Sequence, residues 1–284
     1  MLKVGFIDYY LSEWHADNLP TWLREETKGE VCVAYAWAKI DAPQEGRKTN
    51  AQWAAEQGVE LLSSIEEVIE KSDVLVVLSP DNPEMHEELC DLPLKSGKRT
   101  YVDKTFAPSF AVAKKLVQIA RDYNTPMFTS SALRFSTELQ GIDTAGISAV
   151  SSQGPGPWEI YCIHQIEPIV KLMGPEAEQV MFIGNDVNPG MVIRFSGNRF
   201  ATMQHFDWSC PFKMTVGYPE GKEDVKIPEM TDYFPNFVKE LVDFFRGGAP
   251  KAPLAETLAV AAIREAALAG KKTPGVWMDL PKER

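Results

Sequence analysis

The run Asp73–Ser79, DVLVVLS, is apolar at every position from Val74 to Leu78 and polar at both ends. A strand with one wet face alternates apolar and polar side chains. A run without alternation belongs to a strand covered on both faces, as in a parallel sheet flanked by helices. The neighbouring segments repeat that demand. LKVGFID (2–8), VCVAYAW (31–37), RTYVDK (99–104) and PMFTSS (126–131) read as further short strands. Between them TWLREET (21–27), TNAQWAAEQG (49–58), SSIEEVIEKS (63–72) and FAVAKKLVQIARDYN (110–124) read as helices, with Ser64 and Glu67 spaced as a capping box. Strand and helix alternate, so the spacing predicts an α/β fold: an N-terminal Rossmann-like, doubly wound parallel sheet over residues 1–134.

The texture changes after residue 135. AEQVMFIGND, GMVIRFSGN, RFATMQHFDW and PFKMTVGYP are strand-like and separated by turn residues, and Gly197-Asn198 is a hairpin signal. Two helical patterns follow, FPNFVKELVDFFRGG and LAETLAVAAIREAALAGKK. Residues 135–284 are therefore expected to form an α+β domain with a largely antiparallel sheet. Formal charge is −11, from 40 acidic and 29 basic residues, which disfavours nucleic acid and favours a small-molecule partner. No apolar run reaches membrane-spanning length and no leader pattern opens the chain, so no membrane partner and a cytoplasmic location are expected. Cys32, Cys90, Cys162 and Cys210 lie far apart and read as reduced thiols, and no metal site is expected.

In open parallel sheets, ligands gather at the carboxyl ends of the strands. Three such ends are chemically unusual: Asp8-Tyr9-Tyr10, the loop LSPDNPEMH, and Asp103-Lys104-Thr105. DVLVVLSPDNPEMH resembles the strand and T-P-N-x-x-H loop of the Gfo/Idh/MocA oxidoreductases, with His86 at the histidine. SGKRTYVDKTFAPSF onward is similar to that family's G-K-H-V-x-x-E-K-P segment and the helix and strand after it, placing Lys104 at the lysine and Arg134-Phe135 at the terminal pair. IHQIEPIVKLMG resembles the I-H-E-I-D helix, with His164 at its histidine and Glu167 at its aspartate. The resemblance implies hydride transfer between NAD or NADP and a sugar, polyol or similar hydroxyl-bearing molecule. It also implies a homodimer or larger assembly. Lys104 would orient substrate and His164 would carry the hydroxyl proton, a role suited to a group titrating near neutrality. Asp8, Tyr9, Tyr10, Ser79, Pro80, His86 and Asp103 are the expected cofactor contacts. Trp14, His15, Arg134, Glu167 and His205 are the expected substrate contacts.

The chain departs from the pattern in places that bear on activity. The family's catalytic helix has an aspartate four residues before its histidine, where this sequence has Ile160; Glu159 lies about 100° around the helix. Pro168 removes a helical donor to the His164 carbonyl, so a kink is expected there. Only GPGPW joins ISAVSSQ to the His164 helix, a shorter link than relatives have. The glycine-rich phosphate loop is degenerate, with Gly5 its single glycine. Pro20 suits a first helical turn, which makes Asn18 the expected N-cap and leaves 8–17 as a long loop. No acidic residue closes VCVAYAW to hold a ribose; Lys39 and Asp41 come slightly later. The aromatic and polar residues Tyr10, Trp14 and His15 suit a carbohydrate, whereas Asp8, His15 and Asp17 have no recognised metal spacing. The alternative to an NAD(P)-dependent enzyme is a non-redox descendant that has lost the dinucleotide, or a lyase or epimerase at the same crevice.

Overall fold

The computed structural model describes residues 1–282. It divides into two units, Met1–Ser130 with Val238–Pro253, and Ser131–Phe237 with Leu254–Arg284. The sequence suggests a single cut at 134/135; the chain instead returns to the first unit late.

In the first unit, strands β1 (Leu2–Asp8), β2 (Val31–Ala38), β3 (Glu60–Leu61), β4 (Val74–Val77), β5 (Thr100–Val102) and β6 (Met127–Phe128) form one parallel sheet in the order β3-β2-β1-β4-β5-β6. Helices α1 (Trp14–Thr27), α2 (Asn50–Gln57), α3 (Ile65–Lys71), α4 (His86–Leu89), α5 (Asp91–Lys95) and α6 (Phe110–Asp122) make the crossovers. β4 is buried at all four positions, as its unbroken apolar run demands. The two-residue β3 is exposed at both positions and has no apolar signal that would have announced it. The strand order reverses between β1 and β4, so the crevice at their carboxyl ends is the place where this topology puts a ligand.

In the second unit, β7 (Ala149–Pro155), β8 (Ala177–Gly184), β9 (Pro189–Phe195), β10 (Arg199–Phe206), β11 (Lys213–Gly217), β12 (Val225–Ile227) and β13 (Trp277–Asp279) form a sheet in the order β12-β11-β7-β10-β9-β8-β13. Every pairing is antiparallel except β7 with β10. The hairpin at Gly197-Asn198 forms, with φ of 73° and 59° at the two residues, the left-handed pair a tight turn needs. Helix α7 (Trp158–Met173) continues through Pro168, and α9 (Leu254–Gly270) packs against it. Between them in sequence runs α8 (Tyr233–Phe245), whose last residues return to the first unit. There the Phe244 ring meets Phe128 edge-on at 5.0 Å, and Arg99 donates to the Gly247 and Gly248 carbonyls.

Three local expectations are corrected. α1 begins at Trp14, not after Asn18, so Pro20 lies inside the helix. The cap decides this: the Glu13 carboxylate accepts from the His15 and Ala16 amides and closes the first turn. Second, Ser64 does cap α3, but the Glu67 carboxylate turns to Ser63 rather than completing the box. Third, Gly5 is no part of a phosphate loop. It sits within β1 where α3 crosses closely, and a Cβ there would lie 2.2 Å from Ser72 Oγ and 2.5 Å from Val68 Cγ1. Val68 is buried and stiff, so the clash has little room to relax. Gly5→Ala is expected to cost about 1–3 kcal/mol in urea unfolding; a change below a few tenths of a kcal/mol would mean that β1 and α3 separate freely.

Candidate functional site

The carboxyl ends of β1 and β5 bring four titratable side chains together. Asp8 closes β1 and is buried; one oxygen accepts from Tyr9 N at 2.6 Å and the other has no hydrogen-bond partner among the described residues. Glu13, 3 % exposed, follows as the α1 cap. His15 Nδ1 lies 2.7 Å from Asp103 Oδ2 and 3.8 Å from Glu13 Oε2. Asp103 follows β5 directly, and half-buried Lys104 comes next to it.

Their environments pull the three carboxyls apart. Burial, then the charge of Glu13, push Asp8 well above the usual carboxylate range. Burial also raises Glu13 to about 7, against the lowering effect of His15. Burial alone would raise Asp103, but the neighbouring His15, with Lys104 beside it, outweighs that and holds it at about 2. One ionised carboxylate paired with histidine, beside two reluctant acids, is an arrangement that can hold and pass protons near neutrality.

The other expected contacts in this unit are placed as follows. Tyr10 is buried with its hydroxyl 3.4 Å from Asp81, and the Tyr9 and Tyr10 ring centroids are 5.7 Å apart. Trp14 is half-exposed between His15 and Trp22, at 5.1 and 5.4 Å. Ser79 has φ of 115° and its hydroxyl donates to Asn82 O, fixing the turn that continues into Pro80. His86 is fully buried between the carbonyls of Leu78 and Phe106, 2.9 and 3.0 Å away. Burial depresses its pKa, so the ring is neutral and its single N–H donates to one of these two carbonyls at a time. Asp17 belongs to no cluster with Asp8 and His15, because it accepts from Trp53 Nε1 at 3.1 Å. Among the described residues no group of His, Cys, Asp and Glu has the arrangement of a metal site.

In the second unit His164 lies on α7. Its Nδ1 shares a 2.7 Å hydrogen bond with Ser131 Oγ, and Tyr161 and Phe212 stand edge-on to its ring at 4.9 and 6.0 Å. Exposed Trp208 meets Tyr161 at 4.9 Å. The short GPGPW link acquires a physical reason here. A Cβ on Gly154 would lie 2.5 Å from the Phe212 ring, and one on Gly156 2.6 Å from that of Tyr161. Both glycines make room for rings beside the histidine.

Ser131 was missed by sequence reasoning; its only signal is the polar pair Ser130-Ser131 after PMFT. Glu159 does not replace the absent aspartate, because its carboxylate pairs with Lys271 at 2.8 Å. Ile160 is exposed and apolar.

Three expected substrate contacts are engaged internally. Arg134 is buried, ion-paired with Glu256 and 3.6 Å from Glu167. Burial drives Glu167 up to about 7 despite Arg134. His205 is 1 % exposed, bonded through Nδ1 to Gly156 O at 2.9 Å and packed on Trp158, so it faces the core rather than a pocket.

Residues 25–130 match the oxidoreductase family with an NAD-binding Rossmann fold, GFO_IDH_MocA. Over that span, a little over a third of the chain, the sequence is similar to the Gfo/Idh/MocA family. Solved structures extend the likeness of fold to nearly the whole chain. Myo-inositol 2-dehydrogenase from Lactobacillus plantarum is 14 % identical with a TM-score of 0.75, covering 99 % of each chain. Scyllo-inositol dehydrogenase from Lactobacillus casei is 13 % identical at 0.76, covering 98 % of each. GenD2 from gentamicin A biosynthesis, solved with NAD, is 13 % identical at 0.74, covering 99 % of this chain and 97 % of its own. None of the curated proteins matches the sequence.

The Gfo/Idh/MocA match begins at residue 25, after the first loop and most of α1. That is where the structure and the family's cofactor disagree. A pyrophosphate would take the His15 and Ala16 amides at the start of α1, and both already donate to Glu13. Asp41, the nearest acid after β2, accepts from Asn50 N at 2.6 Å, and Lys39 pairs with Glu88. The first βα loop does not fit a dinucleotide in the glycine-rich manner.

The raised carboxyls make stability depend on pH. Glu13 and Glu167, each near 7 against an ordinary 4.5, stabilise fully below about 4.5 and lose that contribution as pH rises through 7. Urea midpoints are expected to fall from pH 5.5 to pH 8, and to fall less in Glu13→Gln. An identical fall in the variant would show that Glu13 titrates normally.

Proposed function

We propose that this protein is an NAD(P)-dependent oxidoreductase acting on a sugar, polyol or similar hydroxyl-bearing small molecule. The observation that carries this reading is the family match over residues 25–130, which spans five of the six parallel strands entire, β2 to β6, and includes the strand ends at Ser79 and Asp103-Lys104. The inositol dehydrogenases and the NAD complex among the similar folds support the substrate and cofactor classes. In this reading Lys104 orients the substrate hydroxyl and stabilises an alkoxide, while His164, held by Ser131 through Nδ1, presents Nε2 to the proton. When bound, the nicotinamide supplies the hydride acceptor; the chain supplies orientation and proton handling. Cytoplasmic location and a homodimer or larger assembly complete the proposal on family resemblance.

A second reading, a non-redox descendant of the same fold, is favoured by one observation: the cap by Glu13 where the phosphate would be. Calorimetric titration with NADH and NADPH, followed by a 340 nm assay over inositols and aldoses, separates the two. Micromolar binding of one nucleotide and turnover of a polyol are expected. No binding up to millimolar nucleotide would overturn the redox reading in favour of the second.

A further inference from the structure

We infer that Glu13 is a built-in substitute for the pyrophosphate at the N-terminus of α1, and that any nucleotide this unit takes is held away from that helix. The inference is independent of whether the protein transfers hydride. It starts from a count of backbone donors. A glycine-rich loop binds pyrophosphate because its amides have no internal partner and its backbone is bare enough to approach.

Here six of the amides between Tyr9 and Asp17 are spent within the chain. Tyr9 N donates to Asp8 Oδ1 at 2.6 Å, Leu11 N to Asn50 Oδ1 at 3.0 Å, and Glu13 N to Leu11 O at 2.8 Å. His15 N donates to Glu13 Oε2 at 2.7 Å, Ala16 N to Glu13 Oε1, and Asp17 N to Glu13 O at 2.9 Å. A carboxylate at this position has both features of a bound phosphate, oxygen acceptors and negative charge against the positive helix end.

Space and charge agree with the donor count. Tyr10 and Leu11 are buried where a phosphate loop has its bare turn. Asp8 and Asp103 are close enough to Glu13 for their charges to act on it, so an incoming dianion would enter a cluster of three carboxyls, with His15 and Lys104 as the opposing basic groups.

The loop is also tied down. Asn50 bridges Leu11 N to Ile40 O, and the Ser12 hydroxyl and carbonyl receive Lys48 N at 3.2 Å and Arg47 Nη1 at 3.3 Å. Glu13 is thus placed by contacts from the 40–50 segment as well as by its own helix.

The test is replacement of the internal anion by an external one. Wild type and Glu13→Gly are melted at pH 8 with and without 10 mM inorganic pyrophosphate, against sodium chloride of equal ionic strength. Glycine is an acceptable N-cap and exposes the two amides. Wild type is expected to show no shift beyond the salt control. Glu13→Gly is expected to melt lower and recover several degrees with pyrophosphate, and to bind it at least tenfold more tightly by calorimetry. Equal stabilisation of both proteins, or none of the variant, overturns the inference. If Glu13→Gly does not fold, Glu13→Ala, which also frees both amides, takes its place, with the same tenfold gain expected and its absence decisive. These outcomes are separate from the nucleotide titration above, because wild type that binds NADH but ignores pyrophosphate sustains both readings.

Discussion

Two amides at the start of α1 require oxygen acceptors, and one buried carboxylate, that of Glu13, supplies both. Much of the first unit follows from that contact. The cap starts α1 at Trp14, which carries His15 to within 2.7 Å of Asp103, and this contact favours ionised Asp103 in a buried site. Burial first, then the Glu13 charge and more weakly that of Asp103, hold Asp8 well above its ordinary range. The strand-end crevice, where a doubly wound sheet gathers its ligand, is therefore furnished with protein carboxyls and a histidine rather than with open backbone.

This arrangement reconciles a family match with a missing motif. The matched span, 25–130, contains the sheet beyond β1 and the helices that cover it, and those depend on buried apolar runs such as Val74–Val77. The unmatched first residues contain the loop that lacks the glycine signature. Fold and phosphate chemistry are separable here because packing against α3 needs only Gly5 within β1, whereas binding phosphate needs glycines after it.

The sheet and its helices were legible because periodicity reports burial directly: DVLVVLS could only be a covered strand, and Gly197-Asn198 only a tight turn. The position of α1 was not, since Pro20 argued for a late start and nothing local weighs a proline against a carboxylate cap closing on buried amides. In the second unit His164 was legible by resemblance, but its partner was not. Ser131 lies 33 positions away, and its hydroxyl meets Nδ1 only because both elements pack in one unit. Arg134 and Glu167 looked like ligand groups for the same reason that buried ion pairs often do: charge in an apolar context signals constraint without saying whether the partner is internal.

The most direct measurement is the amide 15N–1H spectrum of isotope-labelled protein during titration with NAD, following His15 and Ala16. Both N–H groups donate to Glu13 before and after any nucleotide is added, so their resonances are predicted to stay in place even if others move. A large, saturable shift of these two signals would mean that the dinucleotide displaces Glu13 and takes α1 after all, and it would contradict the account.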